Sequence, residues 1–205
     1  MKRLVLILFL GSLVFTGKAE SPEAPVKPDE IVWFGIDYSY VKFIGTRGQF
    51  VELDKIREEY FRSWNELIMV EREKYDLNKA FLVPKITYDM DASIYRSQQR
   101  DMSDIVQTGP WSIGKVDVES VVRERVDVST KKVGAMFVME TLNKMQEVST
   151  MWLAVFKVDT GEILYMERYT GAVGGFGFRN YYARSYYNVI RNLRVSPRAP
   201  AHIEI

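Results

Sequence analysis

Two apolar runs in the second half of the chain constrain its fold more than any other feature. Residues 135–139 and residues 151–156 are almost continuously apolar. Runs of this length are typical of strands that are buried on both faces in the middle of a sheet. We therefore expect the chain to build its core around a sheet that contains these two strands.

Strand and helix patterns alternate along the first half of the chain. Residues 31–44 are rich in Val, Ile, Tyr, Trp and Phe, which predicts a long strand. Over residues 52–70, apolar positions recur at spacings of three and four and predict an amphipathic helix. Residues 80–88 predict a second strand, which should lie at an edge or carry a bulge because Pro84 has no N–H to donate.

Residues 89–125 are expected to form a mostly helical connection. Asp91 can cap a short helix that reaches Met102, and Asp117 can cap another that ends at Arg125. A turn at residues 108–110 separates these two helices in the prediction.

The C-terminal part of the chain predicts a hairpin followed by a helix. An Asp-Thr-Gly turn at residues 159–161 joins the strand at 151–156 to a second strand at 163–169. Residues 180–194 have apolar positions at helical spacing and predict the last helix.

The order of these elements predicts an α/β (α+β) fold with a single mixed sheet of about five strands, in the order β-α-β-(α)-β-β-β-α. The C-terminal strands should be antiparallel, and the helices should pack on the sheet. Trp152 and Phe156 are four residues apart in one strand, so they should share a face. We expect that face to pack against the helix that bears Trp64.

The start of the chain predicts a secretory signal peptide at residues 1–19. Two basic residues precede an apolar run at residues 4–15, and Gly17 and Ala19 place small residues at positions −3 and −1 of a cut after Ala19. An uncleaved membrane anchor is the alternative. It is disfavoured because an apolar run of this length, at the rise of a helix, spans only ~18 Å of a ~30 Å hydrocarbon core.

After cleavage, the chain is expected to divide into three parts. Residues 20–30 carry three prolines and predict a Pro-rich, disordered tether. Residues 31–195 predict a single α/β domain, and residues 196–205 predict a flexible tail. No transmembrane segment is predicted in the mature chain. The predicted signal peptide indicates export, so we expect a protein that is periplasmic or secreted.

Composition excludes several kinds of active site. The 205 residues include no Cys and one His, which is His202 in the predicted tail, so thiol catalysis and Cys-based zinc sites are excluded and His-based catalysis is disfavoured. We predict no cofactor and no metal site. The signal peptide holds three of the 28 basic residues, and its removal leaves 25 against 27 acidic residues. With this balance of charges, the mature chain has no positive electrostatic field that would attract nucleic acid.

A glycine-rich tract between the last strand and the last helix is the first candidate site. Gly174, Gly175 and Gly177 precede Arg179 and Asn180. Inward-turned backbone amides and a helix N-terminus can hold an anion beside an arginine. The tract lacks the Gly-Lys-Ser/Thr ending of a phosphate-binding P-loop.

The last helix supplies the second candidate site. From Tyr165 onward the chain has six Arg, no Lys and two acidic residues. Arg184 and Arg191 are seven residues apart and therefore share a helix face, which suits carboxylate or phosphate groups. The expected partner is an envelope protein or an anionic glycan, with no role for nucleic acid.

Both candidate sites have structural alternatives. The glycines can serve only to turn the chain sharply, while Phe176 and Phe178 fill the end of the core. The arginines can belong to the ordinary solvated face of an amphipathic helix.

Paired carboxylates are the basis for an alternative function, a hydrolase that acts on an envelope glycan. The pairs are Asp89 with Asp91, Glu58 with Glu59, and Asp101 with Asp104. None of the pairs is specific, because such pairs arise by chance among 27 acidic residues. Asp89 and Asp91 follow a predicted strand, where turn and cap chemistry is the simpler explanation.

Several segments resemble a family of uncharacterised exported bacterial proteins, a domain of unknown function. The resemblance rests on residues 64–68, 73–81 and 158–164, and above all on Gly-Gly-Phe-Gly-Phe-Arg-Asn-Tyr-Tyr at residues 174–182. It implies export and assigns no activity and no catalytic residue.

The element order also resembles, more loosely, the small α/β domains of periplasmic proteins. These are the TolB N-terminal domain and the curli-secretion or penicillin-binding-protein activator lipoproteins. The chain lacks the lipidated Cys of the activators. This likeness is one of fold only. The export signal, the absence of His and Cys chemistry and the Arg- and aromatic-rich C-terminal surface favour a non-enzymatic binding or assembly module of the bacterial cell envelope.

Overall fold

A mixed sheet with helices on both faces forms the core of the computed structural model, which describes residues 28–193. The strands are β1 (Glu30–Asp37), β2 (Lys42–Ile44), β3 (Lys85–Tyr88), β4 (Val106–Gln107), β5 (Val133–Asn143), β6 (Val148–Lys157) and β7 (Ile163–Ala172). The helices are α1 (Leu53–Lys55), α2 (Phe61–Val70), α3 (Leu77–Phe81), α4 (Asp91–Gln98), α5 (Lys115–Arg123) and α6 (Phe178–Leu193). A π-helical turn, Ile56–Tyr60, joins α1 to α2.

The strand β5 lies at the centre of the sheet and is buried along its whole length. On one side of β5, β1 and β2 lie end to end and are both parallel to it, and β3 and β4 pair in parallel outside them. On the other side, β6 and β7 follow as antiparallel neighbours. The two central strands that the apolar runs predicted are thus β5 and β6.

The predicted sheet is correct in class and differs in detail. Residues 28–193 contain seven strands, so the prediction of about five is wrong. The predicted long strand at 31–44 is broken because the Val41 amide donates to the Tyr38 carbonyl oxygen, 3.1 Å away, and closes a turn. The three C-terminal strands do pair antiparallel, as expected, whereas the other four pairings are parallel.

Apolar side chains cover both faces of the sheet. On the first face, α2, α3, α4 and α6 pack around Trp64, which is fully buried. On the second face, α5 packs against β5 and β6. Phe156 and Trp152 lie on this second face, so the prediction that they pack against the helix bearing Trp64 is wrong. Strand alternation predicts that two residues share a face but does not identify the helix that covers it.

The shorter elements differ most from the sequence predictions. Part of the predicted strand at 80–88 is the end of α3, which begins after Asp76, whose side chain accepts from the Lys79 amide at 2.9 Å. The strand itself is β3, an edge strand that directly follows Pro84. Asp117 lies within the first turn of α5 and accepts from the Gly114 amide at 2.7 Å.

The predicted signal peptide (residues 1–19) and tail (residues 196–205) lie outside the described residues, as does most of the predicted tether. β1 begins at Glu30, the last residue of that tether. Among the helices of residues 28–193, none has the length and hydropathy needed to cross a membrane.

Candidate functional site

The helix α6 carries most of the predicted site residues, and its position is set by its apolar face. The buried residues of α6 are Tyr182, Ala183, Ser185, Tyr186, Val189, Ile190 and Leu193. Gly171 of β7 allows α6 to approach the sheet closely, because a Cβ at this position would lie 2.3 Å from the Ser185 carbonyl oxygen. The opposite side of α6 therefore faces outward at a fixed place on the first face of the sheet.

Arg184 and Arg191 lie on either side of Tyr187 along the outward side of α6. Their guanidinium carbons are 5.4 and 5.7 Å from the centroid of the Tyr187 ring. The ring itself is held by an edge-on contact with Tyr75, at a centroid separation of 6.3 Å. We call Arg184, Tyr187 and Arg191 the arginine face.

The arginine face has no internal counter-charge within the part of the chain that the structure describes. Both guanidinium groups are exposed, and no described carboxylate lies within 4.0 Å of either. α6 itself contains three arginines and no acidic residue. Cations over an aromatic ring are stabilised by its quadrupole, so the two arginines are held in place while their N–H groups stay open to a partner.

Arg179 lies against α2 and is not part of the arginine face. Its Nε donates to the Ser63 hydroxyl at 3.3 Å, and its carbonyl oxygen accepts from the Trp64 indole at 2.8 Å. Its Nη1 also lies 3.5 Å from Oδ1 of Asn180. The structure therefore divides the predicted residues into two groups, with Arg179 and Asn180 near the start of α6 and Arg184 and Arg191 further along it.

The glycine tract folds back over the first turn of α6. The Gly174 amide donates to the Tyr181 carbonyl oxygen at 3.0 Å, so this amide is already used within the protein. Gly175 and Gly177 have φ values of +106° and +79°, which residues other than glycine rarely adopt. Anion binding by this loop stays a prediction, and it would depend on amides other than that of Gly174.

Phe176 projects from the glycine tract and is 96% exposed. The interpretation that both phenylalanines fill the core holds for Phe178, which packs on Phe50, Tyr60 and Trp64, and is wrong for Phe176. Sequence reasoning missed the exposure of Phe176. The signal for it was the glycine on each side, because backbone of positive φ turns the chain away from the core.

The carboxylates of Asp101 and Asp104 both have hydrogen-bond partners within the protein. Asp101 accepts from the amide and hydroxyl of Ser103, and these bonds lower the pKa of its carboxyl group. A hydrogen bond from Lys42 lowers the pKa of Asp104. Both groups are therefore ionised at neutral pH and hold no proton that a general acid could donate.

In each of the other two acidic pairs, one member has a place in the local structure. Glu58 accepts from Arg57 at 2.8 Å, and Asp91 lies in the first turn of α4. Residues 28–193 contain no cluster of three or more His, Cys, Asp or Glu side chains that could bind a metal ion. No observation at these positions favours the hydrolase alternative.

Comparison with known proteins gives a weak structural similarity. No family model matches the chain, and no curated protein matches it. The LpoB C-terminal domain from Salmonella enterica is 10% identical, covers 72% of this chain and 85% of its own, and has a TM-score of 0.31. The same domain from Escherichia coli is 13% identical, with coverages of 71% and 84% and a TM-score of 0.31. Similarity at this level carries no argument about function, and the likeness to TolB and curli-secretion domains stays a prediction.

Proposed function

We propose that the protein is a non-enzymatic binding or assembly module of the bacterial cell envelope, and that its arginine face holds an acidic surface of a partner protein. The observation that carries this proposal is the placement of Arg184 and Arg191 on either side of Tyr187, without a carboxylate partner among residues 28–193. The export step rests on the predicted signal peptide.

The arginine face is distinguished by the contact of two arginines with one aromatic ring. Of the ten other arginines in residues 28–193, six lie within 4.0 Å of a carboxylate, namely Arg57, Arg62, Arg96, Arg100, Arg125 and Arg168, whereas Arg47, Arg72, Arg123 and Arg179 do not. A solvated helix face normally carries charges of both signs, whereas α6 carries arginines alone. Seven residues of helix separate Arg184 from Arg191 by ~10.5 Å, which suits two carboxylates on one partner surface.

Phe176 extends the proposed surface. The glycine loop borders the arginine face, because a Cβ on Gly174 would lie 3.8 Å from Cγ of Arg184. Exposed aromatic and arginine side chains that cluster on one surface are typical of binding hot spots. In this proposal Phe176 inserts into an apolar depression of the partner, and the arginines bind the carboxylates around it.

The proposal can be tested by capture from an envelope extract with the mature chain, residues 20–205, as bait. The captured protein is then purified, and its Kd is measured against the wild type and the Arg184→Gln/Arg191→Gln variant. The matched control is Arg47→Gln/Arg123→Gln, which removes the same charge from two exposed arginines elsewhere on the surface. We expect binding to be at least ~10-fold weaker for the first variant, since each charged contact contributes of order 1 kcal/mol, and unchanged for the control.

Two results would contradict this assignment. Equal Kd values for both double variants would show that the arginine face is not part of the interface. Capture that survives protease treatment of the extract would instead identify an anionic glycan as the partner, because the captured component would then not be protein.

A further inference from the structure

A polar cleft lies on the second face of the sheet, on the opposite side from the arginine face. It has a volume of about 380 Å³ and lies over the C-terminal half of β5. Its lining residues are Ile44, Thr108, Pro110, Trp111, Thr141, Asn143, Met145, Gln146, Thr150 and Arg168. The helix α5 covers only the apolar half of this face, so the polar half remains open.

Arg168, the one charged residue of the cleft lining, is held in place by the buried carboxylate of Glu140. Glu140 has an exposure of 0% and lies in β5, where a bulge between Met139 and Thr141 interrupts the pairing with β6. Its Oε1 accepts from the Ile113 amide at 3.0 Å, and its Oε2 accepts from Nε of Arg168 at 2.6 Å and also contacts Nη2. Arg168 is 44% exposed.

Burial of the Glu140 carboxylate carries a desolvation cost that Arg168, which is partly exposed, offsets only in part. Taking a carboxylate out of water costs several kcal/mol, and apolar residues of similar volume at such a site are often neutral or stabilising. The same pair does have a geometric effect, because Glu140 binds the Nε side of the guanidinium group and leaves its other edge without a carboxylate partner in residues 28–193. That edge has two parallel N–H groups, the geometry that binds a carboxylate with two hydrogen bonds.

The remaining polar groups of the cleft are hydroxyls and amides, which can both donate and accept hydrogen bonds. The Thr141 and Thr150 hydroxyls lie 2.6 Å apart, so one donates to the other and one hydrogen is left for a ligand. The side-chain oxygen of Asn143 already accepts from the amides of Met145 and Gln146. No carboxylate lines the cleft and Arg168 is its one charged residue, so the cleft is suited to an acidic ligand.

Trp111 gives the cleft an aromatic wall. Its indole N–H is used by the Tyr40 carbonyl oxygen at 3.2 Å, which leaves the ring as its contribution to the cleft. The Lys42 ammonium lies 5.3 Å from the ring centroid and holds a salt bridge to Asp104. A ligand for this site needs an acid group for Arg168 and a ring with C–H groups for Trp111.

The geometry points to this cleft as a binding site for a sugar ring that carries a carboxylate, such as a uronic acid of an acidic glycan. Arg168 binds the carboxylate, Thr141 and Thr150 bind ring hydroxyl groups, and Trp111 packs against the ring. The site lies on the other face of the sheet from the arginine face, and its assignment does not depend on the proposed function.

The test is a titration of the ¹⁵N-labelled mature chain, followed by NMR at the Trp111 indole and at the Thr141 and Thr150 amides. The probes are a galacturonic acid disaccharide, the matching neutral galactose disaccharide, and galactose 6-phosphate. We expect the uronate to shift these signals with a Kd at least ~10-fold lower than that of either other probe, a difference of about 1.4 kcal/mol.

Variants separate binding from stability. Glu140→Gln/Arg168→Met removes both charges, while the Gln side chain keeps an oxygen that can accept from the Ile113 amide, and it should lose the uronate response while the fold is retained. Trp111→Ala, at a site that is 36% exposed, keeps the ion pair and should weaken uronate binding at least ~5-fold, as expected for an aromatic contact of about 1 kcal/mol. Arg123→Met removes an exposed charge that does not line the cleft and should leave the titration unchanged.

Three outcomes would overturn the inference. The first is no shift at ~10 mM uronate, where even a millimolar site would be occupied. The second is an equal response to the neutral disaccharide, which would remove the role of Arg168. The third is an equal response to galactose 6-phosphate, which would show recognition of any anion in place of a carboxylate.

Discussion

Asn65 of α2 makes two hydrogen bonds to the backbone of Ile36, which also pairs with Phe137 of β5. The Ile36 amide donates to Asn65 Oδ1 at 2.7 Å, and Asn65 Nδ2 donates to the Ile36 carbonyl oxygen at 3.0 Å. The register of β1 against β5 shifts just before this residue. Gly35 has a φ of +82° there, and a Cβ on it would lie 2.3 Å from Asn65 Oδ1.

Replacing Asn65 with Leu should destabilise the fold by about 2–4 kcal/mol, because the Ile36 amide and carbonyl groups would be left buried without partners. Urea unfolding of the variant measures this loss. Asn192→Leu, at an exposed position of α6, is the control and should stay within about 0.5 kcal/mol of the wild type. Equal stability of the two variants would show that the Asn65 bonds contribute nothing.

The two faces of the sheet predict different effects for two tryptophans. Trp64 is fully buried among aromatic rings, so Trp64→Ala should lower the free energy of unfolding by about 3–5 kcal/mol. Trp152 is only partly buried on the second face, and Trp152→Ala should cost about 1–2 kcal/mol. Thermal unfolding of both variants tests this order. A larger loss of unfolding free energy for Trp152→Ala than for Trp64→Ala would contradict the partial burial of Trp152 in the structure.

Adjacent glycines of the loop before α6 provide a matched pair. Gly175 has a φ of +106°, and a Cβ added to it would meet no atom closer than 3.7 Å, so Gly175→Ala should cost about 1–2 kcal/mol through backbone strain alone. Gly174 does not have positive φ, and Gly174→Ala should stay within about 0.5 kcal/mol of the wild type. Denaturant titrations compare the two, and equal effects would argue against a strained backbone at Gly175.

Stability at low pH should depend on Glu30. Hydrogen bonds from Lys85, Thr87 and Lys132 lower the pKa of this carboxyl group from its ordinary 4.5 to about 2. Because the pKa in the folded state is the lower one, Glu30 contributes stability above pH 4.5, and this contribution is lost as the pH falls to about 2. Glu30→Gln should therefore flatten the melting-temperature profile between these pH values. The exposed Glu59→Gln serves as the control and should leave the profile as steep as in the wild type.

Elements that rest on a local apolar pattern were predictable from the sequence. The helix predicted at 52–70 is present as α1, the π-helical turn and α2, and the hairpin of β6 and β7 has the predicted turn. The break between β1 and β2 was not predictable, because it depends on distant partners. The Tyr38 amide donates to the Ser97 hydroxyl, and the Tyr38 hydroxyl donates to that of Tyr186.

In the candidate sites too, features that depend on local spacing were predictable, and features that depend on residues distant in sequence were not. Helical spacing predicted that Arg184 and Arg191 share a face, and both flank Tyr187. Sequence alone did not predict the pairing of Glu140 with Arg168, since the two residues are 28 positions apart and come together through the bulge in β5 and the register of three strands.

The most direct test of the arginine face is the salt dependence of Kd for the purified partner. For the wild type, Kd should rise steeply with salt, because exposed charge pairs are screened over ~8–10 Å at physiological ionic strength. For Arg184→Gln/Arg191→Gln, we expect weaker binding at low salt and a shallower dependence, while Arg47→Gln/Arg123→Gln follows the wild type. A double variant of the arginine face that binds with the Kd and salt dependence of the wild type would contradict the proposed function.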